Sequence, residues 1–213
     1  MNVKERHRHL LFPTPIWQFM FEDCQAFNER LHHDIVSFDW EAYKQEKNLY
    51  FGGDLASRNE DTFIPVDRAP GLVTLLKFSV ECAAEGAAEY GWDLDGRRLE
   101  VVQFWANVNR PNEYNMQHNH APNHLSGVYY VSVPAGSGDI KFIDDRRVRA
   151  VTEPRPVRDS ALAYQSYTFQ PVPGMLLIFP SWLDHVVGQN KSGEVRTAVS
   201  FNIDLVRQPT TGK

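Results

Sequence analysis

The chain lacks any apolar run long enough to cross a membrane. Its longest, Met175-Leu176-Leu177-Ile178-Phe179, is the length of one strand, where a spanning helix needs about 20 residues. No basic segment followed by an apolar core opens the sequence, so a secretory leader is not expected. Cysteine is scarce: Cys24 and Cys82 lie far apart, which excludes a disulfide framework and favours a reducing compartment. Positive charge is not in excess, since 22 Lys and Arg face 27 Asp and Glu for a net charge of -5. A nucleic-acid binder would need a basic face. There is no Gly-x-Ser-x-Gly elbow and no glycine-rich phosphate loop, and neither cysteine has a histidine near it in sequence. Nucleophilic hydrolysis and nucleotide binding therefore lack their motifs. These absences predict a soluble, cytoplasmic protein that engages neither membrane nor nucleic acid. Its oligomeric state is not legible.

What is present fits one domain. A length of 213 residues supports a well-buried core without demanding a second one. Residues 10–21 are apolar but interrupted by Pro13 and Pro15, which suits an edge strand or extended segment. Phe27, Leu31, Ile35 and Phe38 recur at helical spacing, predicting an amphipathic helix over 22–38 with acidic residues in its first turn. Residues 44–69 are polar with Gly52-Gly53 and read as a long surface loop. Within it, 46–52 resembles an engineered protease-cleavage site only imperfectly, and coincidence is the better reading. Pro70 opens a second helix running to about Tyr90, with Leu72, Leu75, Leu76, Phe78, Ser79, Cys82 and Ala83 as its stripe and Gly91 as its stop.

After Gly96 the pattern becomes β. Strands are expected over 101–108, around His118, over 125–133, 140–142, 161–169, 175–179 and 196–205, separated by turn residues. Short strands so punctuated indicate a jelly roll or sandwich. The fold class is mainly β (α+β), with residues 1–96 as a helical frame and loop and 97–206 as the jelly-roll core of a single domain.

Histidine spacing carries the chemistry. His118 and His120, at i and i+2 on a strand, would project from one face. His185 follows a distant apolar strand and can meet them inside a closed sheet. Three converging imidazoles suit a divalent transition metal, iron(II) foremost, although zinc would also accept them. His7-Arg8-His9 has the same spacing in a basic opening segment (residues 4–8) and is assigned no function. His32 and His33 are expected on the solvated side of the first helix, and His124 in a loop.

The stretch from about Phe104 to Asp204 resembles the 2-oxoglutarate- and iron(II)-dependent oxygenase superfamily. It most resembles an uncharacterised bacterial and phage branch with HxH, SGVYY and FPSWxxH signatures. The residues that carry this are His118-Asn119-His120, Val128-Tyr129-Tyr130-Val131, the unit from Gly174 to His185, and Arg196 eleven residues later. The opening Leu11-Phe12-Pro13-Thr14-Pro15-Ile16-Trp17 also looks like that branch. The resemblance implies a double-stranded β-helix (jelly-roll, cupin-like) core with N-terminal helices packed against it. It implies a dioxygenase that hydroxylates an unknown small molecule or protein side chain, using Fe(II), the cosubstrate 2-oxoglutarate and O2.

The same resemblance implies that His118, His120 and His185 are the metal and catalytic residues, and that Arg196, Tyr130 and Ser200 hold the cosubstrate. The superfamily usually has a carboxylate where this chain has His120. Either a three-histidine site results, or two histidines bind with water while His120 stands behind. Asp184 would point the other way, and Asp139 or Asp144 as ligands lack support from spacing. Tyr129, Trp182, Phe104 and Trp105 are expected in the core; Asn107 and Asn109 are candidates to line the substrate side, with loop hydrogen bonding the favoured duty. The arginine-rich segment 146–158 is expected at the mouth as a solvated loop. Two other readings keep the fold: a cupin-like three-histidine metal enzyme without 2-oxoglutarate, and a metal-containing small-molecule binding module.

Overall fold

Nine strands form two antiparallel sheets in a computed structural model that describes residues 5–39, 42, 66, 68–146 and 148–208. The first sheet combines β1 (Trp17–Met20), β2 (Arg97–Asn109), β4 (Leu125–Ser132), β7 (Met175–Pro180) and β9 (Arg196–Arg207) in the order β1-β7-β4-β9-β2. The second combines β3 (Asn115–His118), β5 (Ile140–Ile143), β6 (Ser166–Phe169) and β8 (His185–Val187) in the order β3-β8-β5-β6. Two helices, α1 (Gln25–Val36) and α2 (Gly71–Glu89), precede the bulk of the sheets, and a short helix α3 (Arg149–Thr152) follows β5. This is the mainly β jelly roll expected from the sequence. No described helix is long and apolar enough to cross a membrane.

The central strands are buried on both faces, which explains the uninterrupted apolar run at Met175–Pro180. Along β4, β7 and β9 alternate residues part company. Tyr129, Val131, Leu176, Ile178, Val199, Phe201 and Ile203 join Leu31, Ile35, Leu72, Leu75, Ala83 and Ala87 of the helices in one core. Val128, Tyr130, Leu177, Phe179 and Ala198 face inward with Ile140 and Phe142 of the second sheet. The period of two thus assigns the helices to the outer face of the first sheet and the site to its inner face. Tyr129 pins the helical layer by donating its hydroxyl to Asn28 Oδ1 at 2.7 Å, both groups being buried.

Several details depart from expectation. α1 begins only at Gln25, so its first turn holds no acidic residue; Glu22 and Asp23 precede it and Cys24 occupies the N-cap. Phe38 lies beyond its end. His33 is exposed as expected, but His32 is half-buried and its Nδ1 lies 2.9 Å from Thr197 Oγ1 on β9. The polar stretch 44–69 and its cleavage-site likeness fall almost wholly outside the described residues. Both cysteines are free, Cys24 at the α1 N-cap and Cys82 within α2.

Gly127 shows how tight the β4–β9 seam is. It pairs with Phe201, and a Cβ there would collide with the fully buried Phe201 ring. Gly127→Ala should therefore cost about 1–3 kcal/mol through forced repacking, read as a lower denaturation midpoint. The exposed Lys141→Ala should stay within about 0.5 kcal/mol of wild type.

Candidate metal centre

His118 closes β3 and His185 opens β8, and the two are direct antiparallel partners. Their ring centroids lie 4.3 Å apart, with His120 at 5.0 Å from His118 and 5.1 Å from His185. One ligand nitrogen from each ring falls within 4.8 Å of the others, the sole such metal-capable cluster among the described residues. His120 is not on the strand as expected, because β3 ends at His118. Asn119 Oδ1 accepts from the Ala121 N–H, and the His120 N–H donates to the Ser181 carbonyl at 2.8 Å. These bonds turn the chain out of the ladder while keeping the ring in the cluster.

The backbone sets which nitrogen is offered. His118 Nδ1 lies 2.7 Å from the Met116 carbonyl and His185 Nδ1 3.0 Å from the Leu183 carbonyl. A carbonyl only accepts, so both Nδ1 atoms carry the proton and both Nε2 lone pairs are free for a metal. Burial, then the nearby His118, pushes His120 down to about 4; the same two causes lead in pushing His185 down to about 3. Asp184 accepts from Gln117 Nε2 and Asn119 Nδ2, each at 2.7 Å, so it braces the segment around His118 and does not join the cluster. Asp144 is occupied by Arg146 and Arg149, and neither Asp139 nor Asp144 is in the cluster.

The three rings open into a cavity of about 520 Å³ that also exposes Tyr130, Arg196 and Ser200. Arg196 is 3 % exposed. Its Nη2 donates to Asn109 Oδ1 at 2.6 Å, and its Nη1 to the Ser137 and Gly138 carbonyls at 3.1 and 3.2 Å. Its Nε is buried without a partner, and no carboxylate pairs with it among the described residues. Burial pulls its pKa down, opposed by Tyr130 and Asp139. The turn that supplies these carbonyls needs glycine at 138, where φ is +95° and a Cβ would strike the Gly188 carbonyl. Tyr130, 2 % exposed, pairs with Ala198 in the β4–β9 register, and its phenol is pushed up by burial. Ser200 Oγ accepts from Asn107 Nδ2 at 2.7 Å.

The structure thus brings together all six residues nominated from sequence. It also adds three whose favoured place was elsewhere. Asn109 is a fully buried strand residue that holds Arg196, not a turn residue, and Asn107 lines the cavity. Trp105 lines the cavity with its ring 5.3 Å from His120, not the core. Polar residues at 103, 107 and 109, on alternating positions of an apolar strand, were the available signal. Trp182 is 44 % exposed, whereas Tyr129 and Phe104 do pack in the core. His124 pairs with Asp204 at 2.9 Å, apart from the metal cluster. None of the described residues of the arginine segment lines this cavity: Arg149 is held by Asp144 and Glu153, and Arg146 by Asp144. His7 and His9 are exposed and join no cluster.

Comparison with known proteins agrees with this geometry. Residues 103–202 match a family described as "Putative 2OG-Fe(II) oxygenase". No curated protein matches the sequence. Among solved structures, a Pseudomonas putida prolyl-4-hydroxylase is 14% identical with a TM-score of 0.58, covering 92% of this chain and 94% of its own. The non-heme α-ketoglutarate-dependent carbocyclase SnoK of nogalamycin biosynthesis is 15% identical with a TM-score of 0.56, over 93% and 83%. A Trichoplax adhaerens prolyl hydroxylase, solved with a hypoxia-inducible-factor peptide, is 11% identical with a TM-score of 0.57, over 89% and 83%. At such identities these structures establish the shared fold, while the family match covers all three histidines and Arg196. Residues 103–202 thus resemble the 2-oxoglutarate- and iron(II)-dependent oxygenases in sequence, and the chain shares their fold.

Proposed function

We propose that this chain is a hydroxylase in which His118, His120 and His185 hold iron(II), while Arg196, Tyr130 and Ser200 hold 2-oxoglutarate. The observation that carries the reading is the buried Arg196 guanidinium, which shares a cavity with three imidazoles and pairs with no carboxylate among the described residues. A buried, uncompensated charge is costly, and an anionic ligand reaching Nε would relieve it. A guanidinium suits a carboxylate better than an ammonium would, because its planar donors match both oxygens.

The donor set fits the metal. Two imidazoles present Nε2, and burial keeps His120 and His185 neutral at ordinary pH. The three rings leave the metal's two positive charges intact, and dianionic 2-oxoglutarate offsets them. When bound, iron(II) supplies oxidative decarboxylation: 2-oxoglutarate, O2 and a substrate C–H become succinate, CO2 and a substrate C–OH. The protein's residues orient and shield. Tyr130 places its phenol beside Arg196, Ser200 has its hydroxyl oriented by Asn107, and the Phe179 and Ile140 walls limit water. The single-domain organisation and a cytoplasmic location belong to the same proposal, as does a small-molecule or protein side-chain substrate.

Metal analysis and cosubstrate binding test the assignment together. His118→Ala and His185→Ala should lose most of their bound iron. Arg196→Ala should keep its iron while 2-oxoglutarate affinity falls on the order of tenfold to a hundredfold, the worth of charge-assisted hydrogen bonds. Full activity of Arg196→Ala without 2-oxoglutarate would instead favour a three-histidine enzyme that uses no cosubstrate.

A pH prediction follows from the histidines. In the metal-free folded protein His120 and His185 take up protons only near 4 and 3, against an ordinary 6.5 when unfolded. Between these values the unfolded chain binds more protons, so their contribution is complete above 6.5 and is lost as pH falls toward 4. Thermal melts of metal-free protein should show that decline, with a shallower slope in His120→Asn.

A further inference from the structure

The strand beside Arg196, β2, says what kind of substrate the site takes, an inference that rests on the oxygenase reading above. Gln103, Trp105 and Asn107 stand at alternate positions of β2, all on the face that lines the cavity. Each lies beside a β9 residue in register: Asn202, Ser200 and Ala198 respectively. Cross-strand hydrogen bonds fix two of them. Gln103 Oε1 accepts from Asn202 Nδ2 at 3.1 Å, and Asn107 Nδ2 donates to Ser200 Oγ at 2.7 Å. Gln103 therefore keeps its NH2 for the cavity and Asn107 keeps its carbonyl oxygen. Asn202 is itself anchored by Ser126, so the row is rigid. Between the two amides sits the Trp105 indole, against His120.

Charge is as informative as the amides. Among the described residues lining this cavity there is no Asp, Glu or Lys, and Arg196 is committed to the cosubstrate. A charged substrate group would be desolvated here with nothing to pair it. Side chains four residues apart on a strand are separated by about 13 Å, longer than a single amide and close to the length of a short extended chain of them.

We infer that the substrate is an uncharged, amide-bearing chain laid along β2. A carbonyl of the chain takes the Gln103 NH2, an N–H gives to the Asn107 carbonyl, and the apolar part between them rests on Trp105 beside the metal. Gln103, Trp105 and Asn107 are then the specificity-determining residues. The chain must span the roughly 13 Å from Gln103 to Asn107, which a one-residue amide does not.

The test uses the whole chain loaded anaerobically with iron(II) and 2-oxoglutarate, titrated with the blocked dipeptide N-acetyl-Leu-Leu-amide. Indole emission is the readout, and Trp105→Phe assigns the signal. Saturable binding is expected. The free-acid and free-amine forms of the dipeptide, and the shorter N-acetyl-Leu-amide, should each bind about tenfold more weakly, roughly one to one and a half kcal/mol of lost or unpaired polar contact. Gln103→Glu should reverse the preference towards the free amine, which a merely structural role for Gln103 would not do. Equal binding of the charged forms, equal binding of the short probe, or no saturation by the blocked dipeptide overturns the inference. If the 2-oxoglutarate charge-transfer band is normal in that same sample, the failure is confined to substrate class. If the band is absent, the oxygenase reading and this inference fail together.

Discussion

A guanidinium buried with no carboxylate paired to it among the described residues, in one cavity with three imidazoles, is the constraint on which the rest of the structure depends. Arg196 is held by neutral groups alone: the Asn109 amide and two backbone carbonyls of the Ser137–Gly138 turn. Neutral acceptors orient the charge but do not cancel it. The close-packed glycine at 138, the fully buried Asn109 and the long β2–β9 ladder are accounted for by the need to fix that side chain. His120 extends the same logic, since a metal held by three imidazoles would keep both of its positive charges. Both features raise the site's demand for anions from outside the chain.

The fold separates this electrostatic demand from the structural core. Alternation along β4, β7 and β9 sends one set of side chains to the helices and the other to the cavity. At the start of β9 the division is sharpest: Arg196 faces the cavity, while buried Thr197 meets His32 of α1 on the other side. The helices therefore support the strand that carries the arginine without entering the site. His118 and His185 come instead from the edge of the second sheet, where β3 and β8 meet, and His120 from the turn after β3, so the cavity spans both sheets.

Much of this was legible in sequence because it depends on local period. The strand alternation, the two amphipathic helices, the isolated apolar run and the order of HxH, Tyr-Tyr, His and Arg can each be read within a short window. What depended on register between distant segments was not legible. Asn109 pairs with Arg196, and Trp105 with Ser200, only because β2 and β9 align in an unbroken register from Gln103 to Asn109. No local pattern fixes that alignment. His32 was misplaced for the same reason: helical spacing puts it off the apolar stripe, but its partner Thr197 comes from the far end of the chain. His120 reached its expected place by an unexpected route, since a turn with its own hydrogen bonds, not a continuing strand, carries it there.

The most direct test of the central claim is anaerobic titration of 2-oxoglutarate into the iron(II)-loaded protein, followed by its weak visible metal-to-ligand charge-transfer absorption. The account predicts a saturable band that is abolished in His118→Ala and His185→Ala and requires more 2-oxoglutarate in Arg196→Ala. Confirmed iron binding with no band at any 2-oxoglutarate concentration would contradict it.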